Sequence, residues 1–173
     1  MNASDITTQY YTKEFEKLYT GLKKHFSSYS EFLLTLALCG YHNKNAVPLN
    51  SKNGEEKHNF SIRTVYTRDS LELDANFGLL TILNNSDKNY DKVLNSMAFK
   101  KNNNGEAFAT LVNVNTFFSN LLGGIKPLYD SLDENEGLDS DEQLFDNLLY
   151  ALEDIYENVD QALEELLEKE NTE

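Results

Sequence analysis

Over its last quarter the chain repeats apolar residues at a fixed helical interval, and that repeat narrows the folds open to it. Phe145, Leu152, Val159 and Leu166 recur every seven residues, Leu148, Ile155 and Ala162 form a companion series, and Leu149, Tyr156 and Leu163 widen the seam. Two turns of an α-helix take about seven residues, so these positions share one side of a helix, whereas a strand would scatter them over both faces. A stripe this broad suits packing onto a globular body or into a helical bundle better than the narrow seam of a two-stranded coil. With Asp139 or Ser140 as its cap, the helix occupies 139–173 and reaches about 45 Å, longer than a compact domain of this size needs. The extra length predicts either a projecting end or a homodimer through this helix.

The other side of the same helix is acidic. Residues 1–129 hold 14 Lys/Arg and 12 Asp/Glu, a net of +2, whereas residues 130–173 hold Lys169 against 17 Asp/Glu, a net of -16, which together give the formal -14. Acidity concentrated in this way marks a candidate for docking, autoinhibition or nucleic-acid mimicry, because a block of one sign creates a directed field. The predicted partner-binding residues are Glu153, Asp154, Glu157, Asp160, Glu164 and Glu165, and the partner they imply is a protein with a basic surface. Residues 130–138 read as an acidic hinge between this helix and a domain formed by 1–129.

At 173 residues and 40% hydrophobic content, with ten Phe and ten Tyr, the chain can bury a sizeable core. Tyr11, Phe15, Leu18, Leu22 and Phe26 predict a helix over about 5–25. Ser28 with Glu31 is a capping box for a buried helix that Gly40 ends. "NFSIRTVYT", 59–67, has the β-branched and aromatic composition of a strand, and 46–49 can pair with it as a small ribbon. Asp69 and Glu72 form a second capping box ahead of a helix through Leu83. Further helices are expected over 88–100 and 107–122, the latter ended by Gly123 and Gly124, with 125–132 as a short helical link. The fold class is therefore mainly α: a helical bundle with a minor β-ribbon and a long acidic C-terminal helix.

Reactive residues do not assemble into a catalytic or cofactor motif. Cys39 and His42 have the spacing of half a zinc site, with His58 as a third candidate ligand, but a second ligand pair is missing and Cys39 lies in an apolar run; no metal and no cofactor is assigned. In "DENEGLDSDE" the glycine and the terminal carboxylate of a calcium loop fall in the wrong register. The Glu-x-Lys unit of "TKEFEK" lacks the preceding acidic residue on a strand that a metal-dependent nuclease needs. Non-enzymatic function is the expectation. A second, nucleic-acid-binding reading rests on Arg63, Tyr66, Arg68, Lys100 and Lys101, where cations beside an aromatic could meet phosphate and base, with the acidic helix as an internal competitor. A third is mimicry of DNA that inhibits a nuclease or restriction enzyme. The longest apolar stretch, Phe32 to Cys39, is too short to cross a bilayer, and the N-terminus has no presequence pattern, so no membrane and a cytoplasmic location are expected.

"EFLLTLALCGYHNKNAVPLN" combines a Phe-led apolar helix, a Gly-aromatic end and a polar Asn/Lys loop reaching Pro-Leu. With "SIRTVYTRDSLELDANFGLLTIL" behind it, this stretch resembles small proteins of bacterial DNA-phosphorothioation and related phage-defence gene clusters. The resemblance implies an accessory or regulatory role around DNA or a defence complex and carries no catalytic residues with it.

Overall fold

The computed structural model describes residues 6–10, 12–49, 56–60, 62–99, 111–133 and 141–170. Within them the protein is mainly α. Strand β1 (Ile6–Tyr10) leads into α1 (Thr12–Leu22) and a 3₁₀ turn (Lys23–His25), followed by α2 (Tyr29–His42) and strand β2 (Glu56–Phe60). Helix α3 (Ile62–Leu83), the short α4 (Tyr90–Val93) continued by a π-helical turn (Leu94–Ala98), α5 (Leu111–Asp133) and α6 (Asp141–Glu170) complete the order. β1 and β2 pair antiparallel, with Ile6 opposite Phe60 and Tyr10 opposite Glu56.

α2 is the buried centre. Its N-terminus is closed by Ser28, whose Oγ accepts from the Glu31 amide at 3.0 Å. The Glu31 carboxylate accepts from the Ser27 amide at 2.7 Å and the Ser27 hydroxyl at 2.6 Å, so the return bond of the capping box reaches one residue further back than expected. Phe32, Leu33, Leu36, Ala37 and Leu38 are all but sealed from solvent. At the C-terminus the Asn45 amide donates to Gly40 O and the Lys44 amide to Tyr41 O, each at 3.0 Å, while Lys44 takes φ 52°. That is a Schellman end with lysine in the left-handed position that usually holds glycine.

Gly40 therefore does not stop the helix; it lets another helix approach. α2 packs most extensively on α5. A Cβ on Gly40 would sit 1.9 Å from Asn120 O, and one on Gly124 would sit 1.8 Å from Leu36 O. At Gly123 the intruder is the chain leaving α2, with Asn45 O 1.3 Å from the site of a Cβ. Gly123 and Gly124 likewise do not end α5, which continues through the expected link to Asp133 and so includes the first residues of the expected hinge. Pro127 sits inside α5 and has no amide to offer the carbonyl four residues earlier. Gly123 O accepts from Asn45 Nδ2 at 2.9 Å instead, and Val47 N donates to Ser119 O at 2.8 Å, so the segment after α2 is strapped along α5.

Other expectations also change. The expected ribbon between 46–49 and 59–67 is not formed: residues from Ile62 onward are helical, twenty-two residues in all, so the β-like composition of this stretch, a weak and context-dependent preference, does not set its backbone. The first helix begins at Thr12 rather than residue 5, since 6–10 pair as a strand. The 88–100 helix shortens to α4, capped by Asn89 Oδ1 accepting from Lys92 N at 3.0 Å, plus the π turn. Asn113 Nδ2 on α5 meets that turn, reaching Met97 O at 2.9 Å, Ala98 O at 3.2 Å and Thr81 Oγ1 at 2.9 Å. Phe99 closes over Gly78, where a Cβ would meet its ring at 2.2 Å.

Candidate partner-binding surface on the last helix

α6 lies on the body along its length. Leu144, Leu148, Ile155 and Val159 join the main core with Phe117, Phe118 and Leu36, while Leu166 joins a smaller cluster with Ile82, Val93 and Ala98. The inner part of the seam, Leu148, Ile155, Val159 and Leu166, is thus covered by the protein's own body. Burial of Leu148, Ile155 and Val159 is worth about 1.5–3 kcal/mol each in transfer terms, so the outward face is presented by a firmly seated helix.

That outward face has two parts. Phe145, expected inside the seam as the first of the heptad series, and Leu149 and Tyr156, expected to widen it, remain 39%, 50% and 44% exposed. At 100° per residue they fall within about 40° of one another around the helix axis. Asp160, Glu153, Glu164 and Glu157 occupy the adjoining sector of about 60–120°, and Asp154 and Glu165 lie beyond. All six predicted partner-binding carboxylates are exposed. None of Glu153, Asp154, Glu157, Asp160 and Glu164 pairs with a cationic side chain among the described residues. Glu153 with Glu157, and Asp160 with Glu164, are like charges four residues apart, an arrangement that costs a helix about 0.2–0.5 kcal/mol per pair. Carboxylates in the last turns also oppose the helix dipole.

The apolar edge is anchored to neighbouring elements. The Phe145 ring stacks on His25 at 5.0 Å with the planes 28° apart. The Tyr156 phenol is pushed above its ordinary range, first by burial and then by the Glu31 charge, against a hydrogen bond with Thr35 that lowers it. On the opposite flank Tyr41 is also raised, by burial and then by Glu165.

The residues of the nucleic-acid reading are not brought to a ribbon. Arg63, Tyr66 and Arg68, expected on or beside a strand over 59–67, lie on the first turns of α3. Lys100 and Lys101 lie outside the described residues. Cys39 is buried on α2, with its thiol pushed up to about 12 by burial against weaker hydrogen bonds from Asn43 and the backbone at Leu128. Among the described residues no three His, Cys, Asp or Glu side chains gather as a metal site would require. No helix among them is long and apolar enough to cross a membrane.

Compared with family models, curated proteins and solved structures, the chain matches none.

The exposed apolar edge was present in the heptad pattern, since Phe145, Leu149 and Tyr156 stand at one side of the stripe, but only the packing of Leu148, Ile155 and Val159 decides which side is covered. A second feature escaped sequence reading altogether: Tyr41, Ser86, Asn158, Gln161, Ala162 and Glu165 line a cleft of about 210 Å³. Its sequence signal was Asn158 and Gln161 interrupting an otherwise acidic face.

Proposed function

We propose that the protein is a non-enzymatic interaction or regulatory component that uses the outward face of α6 to hold a basic protein partner. The observation that carries this reading is the side-by-side placement of exposed Phe145, Leu149 and Tyr156 with exposed Glu153, Glu157, Asp160 and Glu164 on one seated helix. A basic amphipathic helix complements such a surface: its apolar ridge covers the ring edge, and its Lys and Arg side chains meet the carboxylates. Docking would also relieve the like-charge pairs along α6. A DNA mimic would need the carboxylates alone; the apolar strip beside them favours a protein segment. We further propose, on the resemblance of 31–49 to phosphorothioation-cluster and phage-defence proteins, that this role is an accessory one in the cytoplasm, beside a DNA-related or defence complex.

The test is direct. In fluorescence anisotropy, a labelled helical peptide with a Leu ridge flanked by Lys should bind the full chain and weaken as salt rises. Reversing Glu153, Glu157, Asp160 and Glu164 to Lys should abolish binding while circular dichroism and the melting temperature show a folded protein. Equal binding by the folded variant would sink the proposal.

A further inference from the structure

The cleft on the far flank of α6 is built from three separate elements. Tyr41 comes from the last turn of α2, Ser86 from the turn after α3, and Asn158, Gln161, Ala162 and Glu165 from α6. The turn is held in place: Asn84 Nδ2 donates to Leu80 O at 2.9 Å, Asn85 Nδ2 donates to Thr81 O at 2.7 Å, and Asn84 N and Asn85 N donate to Leu80 O and Ile82 O at 3.0 Å. On the opposite wall Gln161 Nε2 donates to Glu165 Oε1 at 3.1 Å, and the Gln161 amide oxygen is an acceptor that this bond does not use.

About 210 Å³ falls below the ~300 Å³ where drug-sized ligand pockets begin. The space suits one polar head group. Its chemistry is polar and singly anionic: one carboxylate, two carboxamides, a hydroxyl and a phenol ring. A planar cation with several N–H donors satisfies that set better than a point-charge ammonium, because the fork of a guanidinium can pair with carboxylate and carboxamide together while its face lies on an aromatic ring.

We infer that this cleft is a guanidinium subsite, in which Glu165 supplies the charge, Asn158 and Gln161 supply carbonyl acceptors and Tyr41 supplies the ring face. An arginine of the basic partner is its occupant, an assignment that rests on the proposed function of α6 and gives that interaction a specific anchor. The influence of the Glu165 charge on the Tyr41 phenol is consistent with the two groups sharing one small space.

A small probe separates this claim from the wider one. Nα-acetyl-arginine amide titrated into the isotopically labelled full chain should give saturable amide shifts at Ser86, Asn158, Gln161 and Glu165, with a dissociation constant on the order of 1 mM, as expected for a partly solvated single contact. The citrulline counterpart, equal in shape and uncharged, should give none. Glu165→Gln should weaken the arginine probe at least tenfold, and Asn158→Ala should weaken it about threefold, with both proteins folded by circular dichroism. The inference is overturned if no saturable shifts appear, if citrulline binds as well as arginine, or if Glu165→Gln binds unchanged. The fourfold charge reversal on α6 leaves the lining of this cleft intact. Loss of peptide binding in that variant with the arginine probe retained supports both readings; arginine binding without any peptide binding by the wild type supports the cleft alone.

Discussion

Replacing Gly124 by alanine tests the helix crossing on which the fold depends. The added Cβ would lie 1.8 Å from Leu36 O, 2.7 Å from Gly40 N and 2.9 Å from Leu36 C, all backbone atoms that no rotamer change can move. Real Cβ contacts essentially never fall under 3.0 Å, so α2 and α5 must part by about 1.2 Å at the crossing. A radial gap of ~0.5–1 Å already forfeits a quarter to a half of the dispersion attraction between facing atoms. Leu33, Leu36, Ala37, Phe117 and Leu121, all fully buried, would feel it. Against this, alanine gains about 1 kcal/mol of helix propensity over glycine. Overpacking against side chains costs about 1–3 kcal/mol, and here the obstruction is main chain, so a net loss of about 3 kcal/mol is expected. In urea titrations with a slope near 2 kcal/mol/M, the midpoint should fall by about 1.5 M. Gly21→Ala is the internal control, because its Cβ meets only the Leu144 Cδ2 at 3.2 Å, the end of a flexible side chain; its midpoint should stay within about 0.5 M of the wild type. A Gly124→Ala midpoint equal to or above the wild type would refute the close crossing.

Three further outcomes follow from particular residues. Lys44→Gly should stabilise the protein by about 1 kcal/mol in the same urea assay, since Lys44 holds a left-handed φ of 52° that glycine adopts without strain. Asn113→Ala should cost about 2–3 kcal/mol, because one buried amide serves Thr81, Met97 and Ala98, and hydrogen exchange should rise first in the π turn. Cys39 and Tyr29, both raised to about 12, the latter by burial and then by Tyr19, contribute most visibly to the alkaline limb, beside the raised Tyr41 and Tyr156. Because the folded values lie above the ordinary 9.0 and 10.0, their contribution is intact below about pH 9 and is lost as pH climbs towards 12; Tm should fall across that window, and Cys39→Ser should remove the part that begins near pH 9.

What the sequence made legible was periodicity, and what it hid was proximity. Leu148, Ile155, Val159 and Leu166 announce a buried helical face by spacing alone, and Ser28 with Glu31 announces a helix start. Gly40, Gly123 and Gly124 mislead because glycine at a helix end and glycine at a helix crossing are the same letter; the distinction lies in Asn120 O and Leu36 O, distant in sequence. Pro127 misleads for a similar reason, since the carbonyl it leaves without a helical donor is served by Asn45 from another segment. Residues 62–67 carry strand composition yet belong to a long helix, a case of context overriding a weak local preference. Of the candidate surface, the carboxylates could be named from sequence because a net of -16 over 130–173 is visible there. The apolar strip beside them and the cleft behind them depend on which flank of α6 meets α2, and no periodicity encodes that.

The reading of α6 is tested most directly by offering the full chain two ligands in parallel. A labelled basic amphipathic peptide and a labelled DNA duplex are titrated by anisotropy across a series of salt concentrations. The account predicts saturable peptide binding whose affinity falls as salt rises, its loss on reversal of Glu153, Glu157, Asp160 and Glu164, and no binding of duplex at any salt. Duplex binding by the wild type, with the peptide ignored, would contradict it and return Arg63, Tyr66 and Arg68 to the centre of the argument.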